Sequence, residues 1–265
     1  AATLGDASKV NYTTATGKTR FTKLAAGEGE ILSRNTTWTF SRDVDLSQTF
    51  IGVSYYDGQG FMAPKALGAK SAKDLDGASV CIQTGTTTEL NLAEFFSQNK
   101  IKYNPVPIET NAEALELYKA GRCDAYTTDA SGLYSSIASL PVPSDHMVFP
   151  EIISKEPLGP VVRHGDDQWA DIVGWTLRAM MAGEELGVTS ANVKSLAGKD
   201  NKNKEINRLL GKDPLQGLSK LGLSADWAVQ VISQVGNYEE VFERNLGMST
   251  PLKIARGANQ LYRDG

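Results

Sequence analysis

Three short segments carry side chains able to hold a charged ligand. In residues 35–42, Asn-Thr-Thr-Trp-Thr-Phe-Ser-Arg, Arg42 stands a few positions past a predicted strand end, beside hydroxyls and an indole. Arginine suits a carboxylate because its planar fork offers two parallel N–H donors. In residues 126–132, Asp129 closes another predicted strand and offers one anion to an ammonium group. Residues 83–89, Gln-Thr-Gly-Thr-Thr-Thr-Glu, run from a strand through a Gly/Thr turn into a helix. Free backbone N–H groups and hydroxyls meet the positive end of a helix dipole there. Each segment also has a plainer explanation: a surface arginine, an aspartate capping a helix over 131–136, threonines capping through a Thr-x-x-Glu pattern. Taken together, a cationic fork, an acid and an N–H-rich turn suit a zwitterion, and a free α-amino acid is one.

Other chemistries find little support. The 265 residues are 41% hydrophobic and 22% charged, an ordinary globular composition long enough for one large core or two modest ones. With 27 Lys+Arg against 31 Asp+Glu, no global basic field attracts nucleic acid. No apolar run approaches the roughly 18 to 20 residues that cross a bilayer. His146 and His164 are the only histidines and lie in no zinc-binding spacing, so neither a metal nor a cofactor is expected. There is no G-x-S-x-G elbow, no G-x-G-x-x-G and no Walker loop, because Tyr12 stands where that loop before Gly17-Lys18-Thr19 needs its first glycine. Cys81 and Cys123 each lie in an apolar strand-like run, and packing as small hydrophobes, pairing, or a reactive thiol all stay open.

These residues need elements to position them. Residues 9–13 read as a strand, 18–26 as a short helix with Phe21, Leu24 and Ala25 at helical spacing and Gly27 as its stop, and 30–33 as a second strand. Strand, helix, strand implies a parallel α/β sheet. The pattern recurs as a strand over 102–106, a helix over 113–120 capped near Asn111 and stopped by Gly121, and a strand over 124–127. Laying residues 24–30 on 118–124 matches Ala-Gly with Ala-Gly and places Asn35 on Asp129. Two similar units would then present polar groups at the C-terminal ends of equivalent strands, where ligands bind in open α/β sheets. Extended segments over 50–61 and 152–162 read as two crossings between lobes, a two-strand hinge. Residues 169–186 predict an amphipathic helix with Trp169, Ile172, Val173, Thr176, Leu177, Met180 and Met181 on its core side, stopped by Gly187. Residues 198–211 read as a solvated surface element, followed by helices over 226–235 and 238–246.

Residues 31–39 (Ile-Leu-Ser-Arg-Asn-Thr-Thr-Trp-Thr), 55–61 (Tyr-Tyr-Asp-Gly-Gln-Gly-Phe), 83–92 (Gln-Thr-Gly-Thr-Thr-Thr-Glu-Leu-Asn-Leu) and 150–160 (Pro-Glu-Ile-Ile-Ser-Lys-Glu-Pro-Leu-Gly-Pro) closely resemble the general L-amino-acid-binding periplasmic proteins of proteobacterial ABC transporters. These are polar-amino-acid substrate-binding proteins, and the likeness continues through residues 237–245 to 251–257. The resemblance implies an α/β fold of two Rossmann-like lobes with a two-strand hinge, the type II periplasmic-binding-protein architecture. Lobe one would comprise residues 1–57 and 158–265, with a C-terminal helical extension, and lobe two residues 58–157, the hinge lying at Tyr55, Tyr56, Leu158 and Gly159. By the same resemblance Arg42 would bind the ligand carboxylate assisted by Thr37, and the Asn35 backbone carbonyl would accept from the ammonium. In lobe two, Thr86 and Thr87 would meet the carboxylate, Gln83 would face the ligand side chain, and Asp129 would pair with the ammonium, with Thr128 beside it.

The implied function is non-catalytic. The protein would capture Glu, Gln, Asp, Asn or a broader set of L-amino acids between its lobes in the periplasm and pass them to ABC permease subunits. Relative to the family pattern, lobe one is expected to be incomplete at its N-terminus by about 50 to 60 residues, and an unpaired sheet interior there favours swapping into a homo-oligomer or loss of binding. A periplasmic dehydratase on the same scaffold is a third reading.

Overall fold

The computed structural model describes residues 1–213 and 215–261. Helices α1 (Arg20–Ala25) and α2 (Phe40–Val44) precede strands β1 (Gln48–Phe50), β2 (Tyr55–Asp57), β3 (Gln59–Pro64) and β4 (Ser79–Gln83). Helix α3 (Thr87–Gln98), β5 (Asn104–Ile108), α4 (Asn111–Lys119), β6 (Ala125–Asp129) and α5 (Ala130–Ala138) follow, then β7 (His146–Val148), β8 (Glu156–Leu158) and β9 (Val161–Arg163). The remainder is helical: α6 (Asp167–Glu185), α7 (Val193–Ala197), α8 (Lys204–Leu209), α9 (Leu218–Leu221), α10 (Trp227–Val235) and α11 (Tyr238–Asn245). The chain divides into two compact units, one of Ala1–Thr13, Ser47–Ser54 and Pro160–Gly265, the other of Thr14–Leu46 and Tyr55–Gly159.

The second unit is built on a five-stranded sheet in the order β5-β4-β6-β3-β7. Strand β4 runs parallel to β5 and β6, whereas β3 is antiparallel to β6 and β7. Side chains alternate between its faces, as a pleated strand requires. Phe61, Val80, Ile82 and Ala125 join Leu92 and Phe96 of α3 in one core, while Met62, Cys81 and Tyr126 join Ala114 and Tyr118 of α4 and Leu133 of α5 in the other. Phe61 and Phe96 stack with ring centroids 5.7 Å apart, and each fully buried ring contributes roughly 1.5 to 3 kcal/mol. The carboxyl ends of β4 and β6 lie at the same edge of the sheet, which brings the Gln83 turn and Asp129 to one side. Gln59 begins antiparallel β3 directly opposite Asp129.

Cys81 and Cys123 are bonded, with Cα atoms 5.6 Å apart, tying β4 to the approach of β6. The pairing settles the alternatives left open by the local sequence. Cys123→Ala is expected to lower stability by about 2 to 4 kcal/mol, since the bond closes a long loop in the unfolded chain, its ends 42 positions apart. Urea denaturation of parent and variant measures this, and an unchanged midpoint would deny the bond a stabilising role.

The expected β5–α4–β6 unit forms, with Thr110 rather than Asn111 as the helix cap and Gly121 at φ +68° as its stop. The equivalent strands over 9–13 and 30–33 do not. Residues 7–9 form a 3₁₀ turn, and Leu32 makes a single bridge. The backbone just beyond each segment bonds to side chains: Arg34 Nη1 donates to the Ala15 carbonyl, Lys23 Nζ to Thr14 and Arg20 Nη1 to Asn35. Helix α1 does form, but its buried face is Arg20 and Leu24, not Phe21, Leu24 and Ala25.

The first unit carries the antiparallel β1–β9 pair and most of the helices. Along α6 the buried residues are Ile172, Gly174, Ala179 and Gly183, while Trp169, Val173, Thr176, Leu177, Met180 and Met181 are half-buried. Small residues are required there because α10 packs closely: a Cβ on Gly183 would stand 3.0 Å from Ile232 Cδ1. The 198–211 segment is not wholly solvated. Asn207 is fully buried, donating to Asp200 at 2.7 Å and accepting from the Asn201 backbone at 2.9 Å, and Leu210 joins the core.

Candidate functional site

Asp129 ends β6 just before α5, yet its carboxylate does not cap that helix. Asp57 takes that role, its Oδ2 accepting from Ser131 Oγ at 2.5 Å and from the Ser131 backbone at 3.2 Å. Asp129 is left buried, accepting from Asn35 Nδ2 at 2.6 Å. Burial pushes its pKa from 3.8 up to about 7; the Asn35 hydrogen bond opposes this, the charges of Asp57 and Glu156 add to it, and Arg20 opposes it. The two residues that sequence alignment of the repeated segments equates, Asn35 and Asp129, thus bond to each other.

Arg42 sits on α2, whose N-terminus is capped by Thr39. Its guanidinium is buried, lies over the Phe21 ring at 5.1 Å and donates from Nη1 to the Thr37 carbonyl at 2.9 Å. Burial pulls its pKa down, countered by the charges of Glu156 and Asp129. Among the described residues no carboxylate pairs directly with it. Thr37 is buried, its hydroxyl bonded to the Glu156 carboxylate and 3.4 Å from Thr87 Oγ1. Asn35, Thr37, Arg42, Thr87 and Asp129 therefore belong to one polar cluster.

Gln83, Thr86 and Thr128 are engaged elsewhere. Gln83 Nε2 donates to the Glu109 carbonyl at 2.5 Å. Thr86 caps α3, accepting from the Glu89 backbone at 3.3 Å and donating to the Gln83 carbonyl at 2.7 Å. Thr128 lies opposite Gly60 in the β3–β6 ladder, and strand alternation turns it to the other face from Thr127 and Asp129. Tyr55 and Tyr56 pair with Leu158 and Pro157 across β2 and β8, and the Gly159 N–H reaches the Thr36 carbonyl at 3.1 Å.

Two further members of the cluster, Glu156 and Arg20, lie outside the sequence-based candidates. Glu156 is 2% exposed and accepts from Asn91 Nδ2 at 3.0 Å, Ser154 Oγ at 2.5 Å and Thr87 Oγ1 at 3.4 Å. Arg20 is 4% exposed, over the Phe21 ring at 4.9 Å, and burial with the neighbouring charges of Arg42 and Arg34 lowers its pKa to about 9. Its i,i+4 spacing to Leu24 is the one feature that places it on the buried helix face. The cluster as a whole offers a cationic fork with open valence, a carboxylate without a cation and several hydroxyls.

No family profile matches the chain. It is 56% identical over all 265 residues to the glutamate/glutamine/aspartate/asparagine-binding protein BztA of Rhodobacter capsulatus, covering 78% of that protein. It is 55% identical to the general L-amino acid-binding periplasmic protein AapJ of Rhizobium johnstonii, covering 77% of it. Among solved structures, an ABC transporter periplasmic binding protein from Brucella ovis with glutathione bound aligns over the whole chain and 83% of its own, with TM-score 0.94 and 51% identity. An ancestral arginine-binding protein bound to arginine shares the fold at TM-score 0.59 and 23% identity, over 68% of this chain and 76% of its own. The architecture is thus the α/β type II periplasmic-binding-protein fold, these relatives are binding proteins and not enzymes, and the chain belongs to the amino-acid-binding periplasmic proteins of ABC transporters.

Proposed function

We propose that this chain is a periplasmic receptor that captures polar L-amino acids, glutamate, glutamine, aspartate and asparagine foremost, and delivers them to the permease subunits of an ABC transporter. The observation that supports this is the pair of buried, opposite, unpaired charges at Arg42 and Asp129 in one cluster. The ligand carboxylate would take the Arg42 guanidinium and the N–H groups at Thr86 and Thr87, with the Thr37 hydroxyl turning from Glu156 to assist. The ammonium would take Asp129, beside Asn35. Gln83 would turn from the Glu109 carbonyl toward the ligand side chain, Thr128 would support Asp129 as its neighbour in the strand, and Tyr55, Tyr56, Leu158 and Gly159 would be the segments that bend. A zwitterion answers both unpaired charges at once, so neither end alone binds well, and a charge-assisted bond at each end is roughly twice as strong as a neutral one.

Thermal-shift measurement against the twenty L-amino acids and glutathione, after partial unfolding and dialysis to strip retained ligand, tests the proposal. A rise in Tm with several polar amino acids is expected, since a ligand at about 100 times its Kd stabilises the native state by about 2.7 kcal/mol. A cooperative transition that none of them moves would refute the receptor reading.

A further inference from the structure

Arg20 has no place in the ligand roles above, yet it is almost wholly buried. A buried cation is unfavourable unless its donors and charge are met. Its Nη1 donates to the Asn35 carbonyl at 2.9 Å and to Thr36 Oγ1 at 3.3 Å, Phe21 lies beneath the guanidinium, and Nε has no partner among the described residues. From the backbone that Arg20 grips, the Asn35 side chain extends to Asp129 at 2.6 Å, joining residues 94 positions apart. The geometry points to Arg20 as a positioning residue for the ligand ammonium: by clamping the Asn35 backbone it aims the Asn35 amide at Asp129 and holds that carboxylate ready for a cation. This rests on the amino-acid receptor reading. It also reassigns Asn35, whose carbonyl already accepts from a guanidinium, so its side chain rather than its carbonyl serves the ammonium site.

Asp129 is also influenced by Arg34, Arg42, Asp57, Tyr126 and Glu156. Arg20 differs from the other cations in being joined to it through a hydrogen-bonded chain. Removing Arg20 takes away both a favourable charge and the fixed amide, and each change favours the protonated carboxyl.

The test is Arg20→Gln, with Arg20→Lys as the conservative variant, titrated calorimetrically with L-glutamine from about pH 6 to about pH 9, while carboxyl NMR follows Asp129 in the ligand-free protein. In Arg20→Gln the Asp129 titration and the midpoint of the binding profile are expected to move up by about one unit. Affinity should fall roughly tenfold near pH 6 and return to within about threefold of the parent near pH 9, and Arg20→Lys should recover part of the shift. A loss of equal size at every pH, or an unmoved Asp129 titration, would overturn the positioning role. Should Arg20→Gln fail to fold, Asn35→Ala breaks the same chain one link further on and must show the same upward shift. Asp129→Asn separates the two ideas: if it binds L-glutamine like the parent, the receptor reading itself fails, whereas loss in that variant with an unmoved Arg20→Gln profile rejects the Arg20 role alone.

Discussion

Asp129→Asn is expected to lower L-glutamine affinity by on the order of 100-fold to 1000-fold at pH 8 and to flatten the pH dependence of stability of the ligand-free protein. The binding loss follows from removing the carboxylate that would neutralise the ligand ammonium in a buried setting. Truncating one partner of such a pair costs about 2 to 5 kcal/mol, because the other charge is left desolvated. The stability effect has a definite sign. The folded-state pKa of Asp129 is raised to about 7 from an ordinary 3.8, so the folded protein binds more protons than the unfolded chain between these values. Its contribution is fully present below about pH 4 and is lost as pH rises through about 7. The parent should therefore lose on the order of a few kcal/mol relative to Asp129→Asn across that window. Urea denaturation of both proteins at pH 5 and pH 8 measures the difference, and parallel pH curves would contradict the burial of an ionisable carboxyl at this position. Ligand binding below about pH 7 should release a proton from Asp129, which calorimetry in buffers of different ionisation enthalpy detects.

Arg42→Ala carries the second large effect. The guanidinium's Nη1 holds the Thr37 carbonyl, and its remaining donors are the proposed carboxylate fork. Affinity for L-glutamate and L-glutamine is expected to fall by on the order of 100-fold or more, the consequence of leaving a ligand carboxylate unpaired at about 2 to 5 kcal/mol. Stability should also fall, by about 1 to 3 kcal/mol, since the buried Thr37 carbonyl loses its donor. Arg42→Lys should recover the charge but not the planar fork, giving an intermediate affinity. Calorimetry on the three proteins decides the matter: binding by Arg42→Ala within about threefold of the parent would move the carboxylate site elsewhere.

Much of the second unit was legible in the residues because its signals are local. The apolar run around Cys81, the glycine stops at Gly27 and Gly121 and the cap near Asn111 each act over one turn or one strand. The candidate residues Asn35, Thr37, Arg42, Thr87 and Asp129 were legible through charge and hydroxyl content, helped by the likeness to relatives. What failed was whatever depended on a distant partner. Residues 9–13 and 30–33 have strand-like composition, but a strand exists only where another offers its ladder, and these segments form none beyond the single bridge at Leu32.

Local pattern and charge, acting through short-range periodicity and capping, determined the βαβ unit around β5 and β6, the α/β class and helices α6, α10 and α11, and marked Arg42 and Asp129 as candidates for the two ends of a zwitterion. Tertiary structure alone decided which polar groups are buried and which atoms meet. Asp57 rather than Asp129 caps α5, Cys81 reaches Cys123, Arg20 and Glu156 enter the polar cluster, and Asn207 anchors a turn that reads as surface. The reason is physical: the free energy of a buried polar side chain is set by partners tens of residues away, and no local spacing records where those partners will stand.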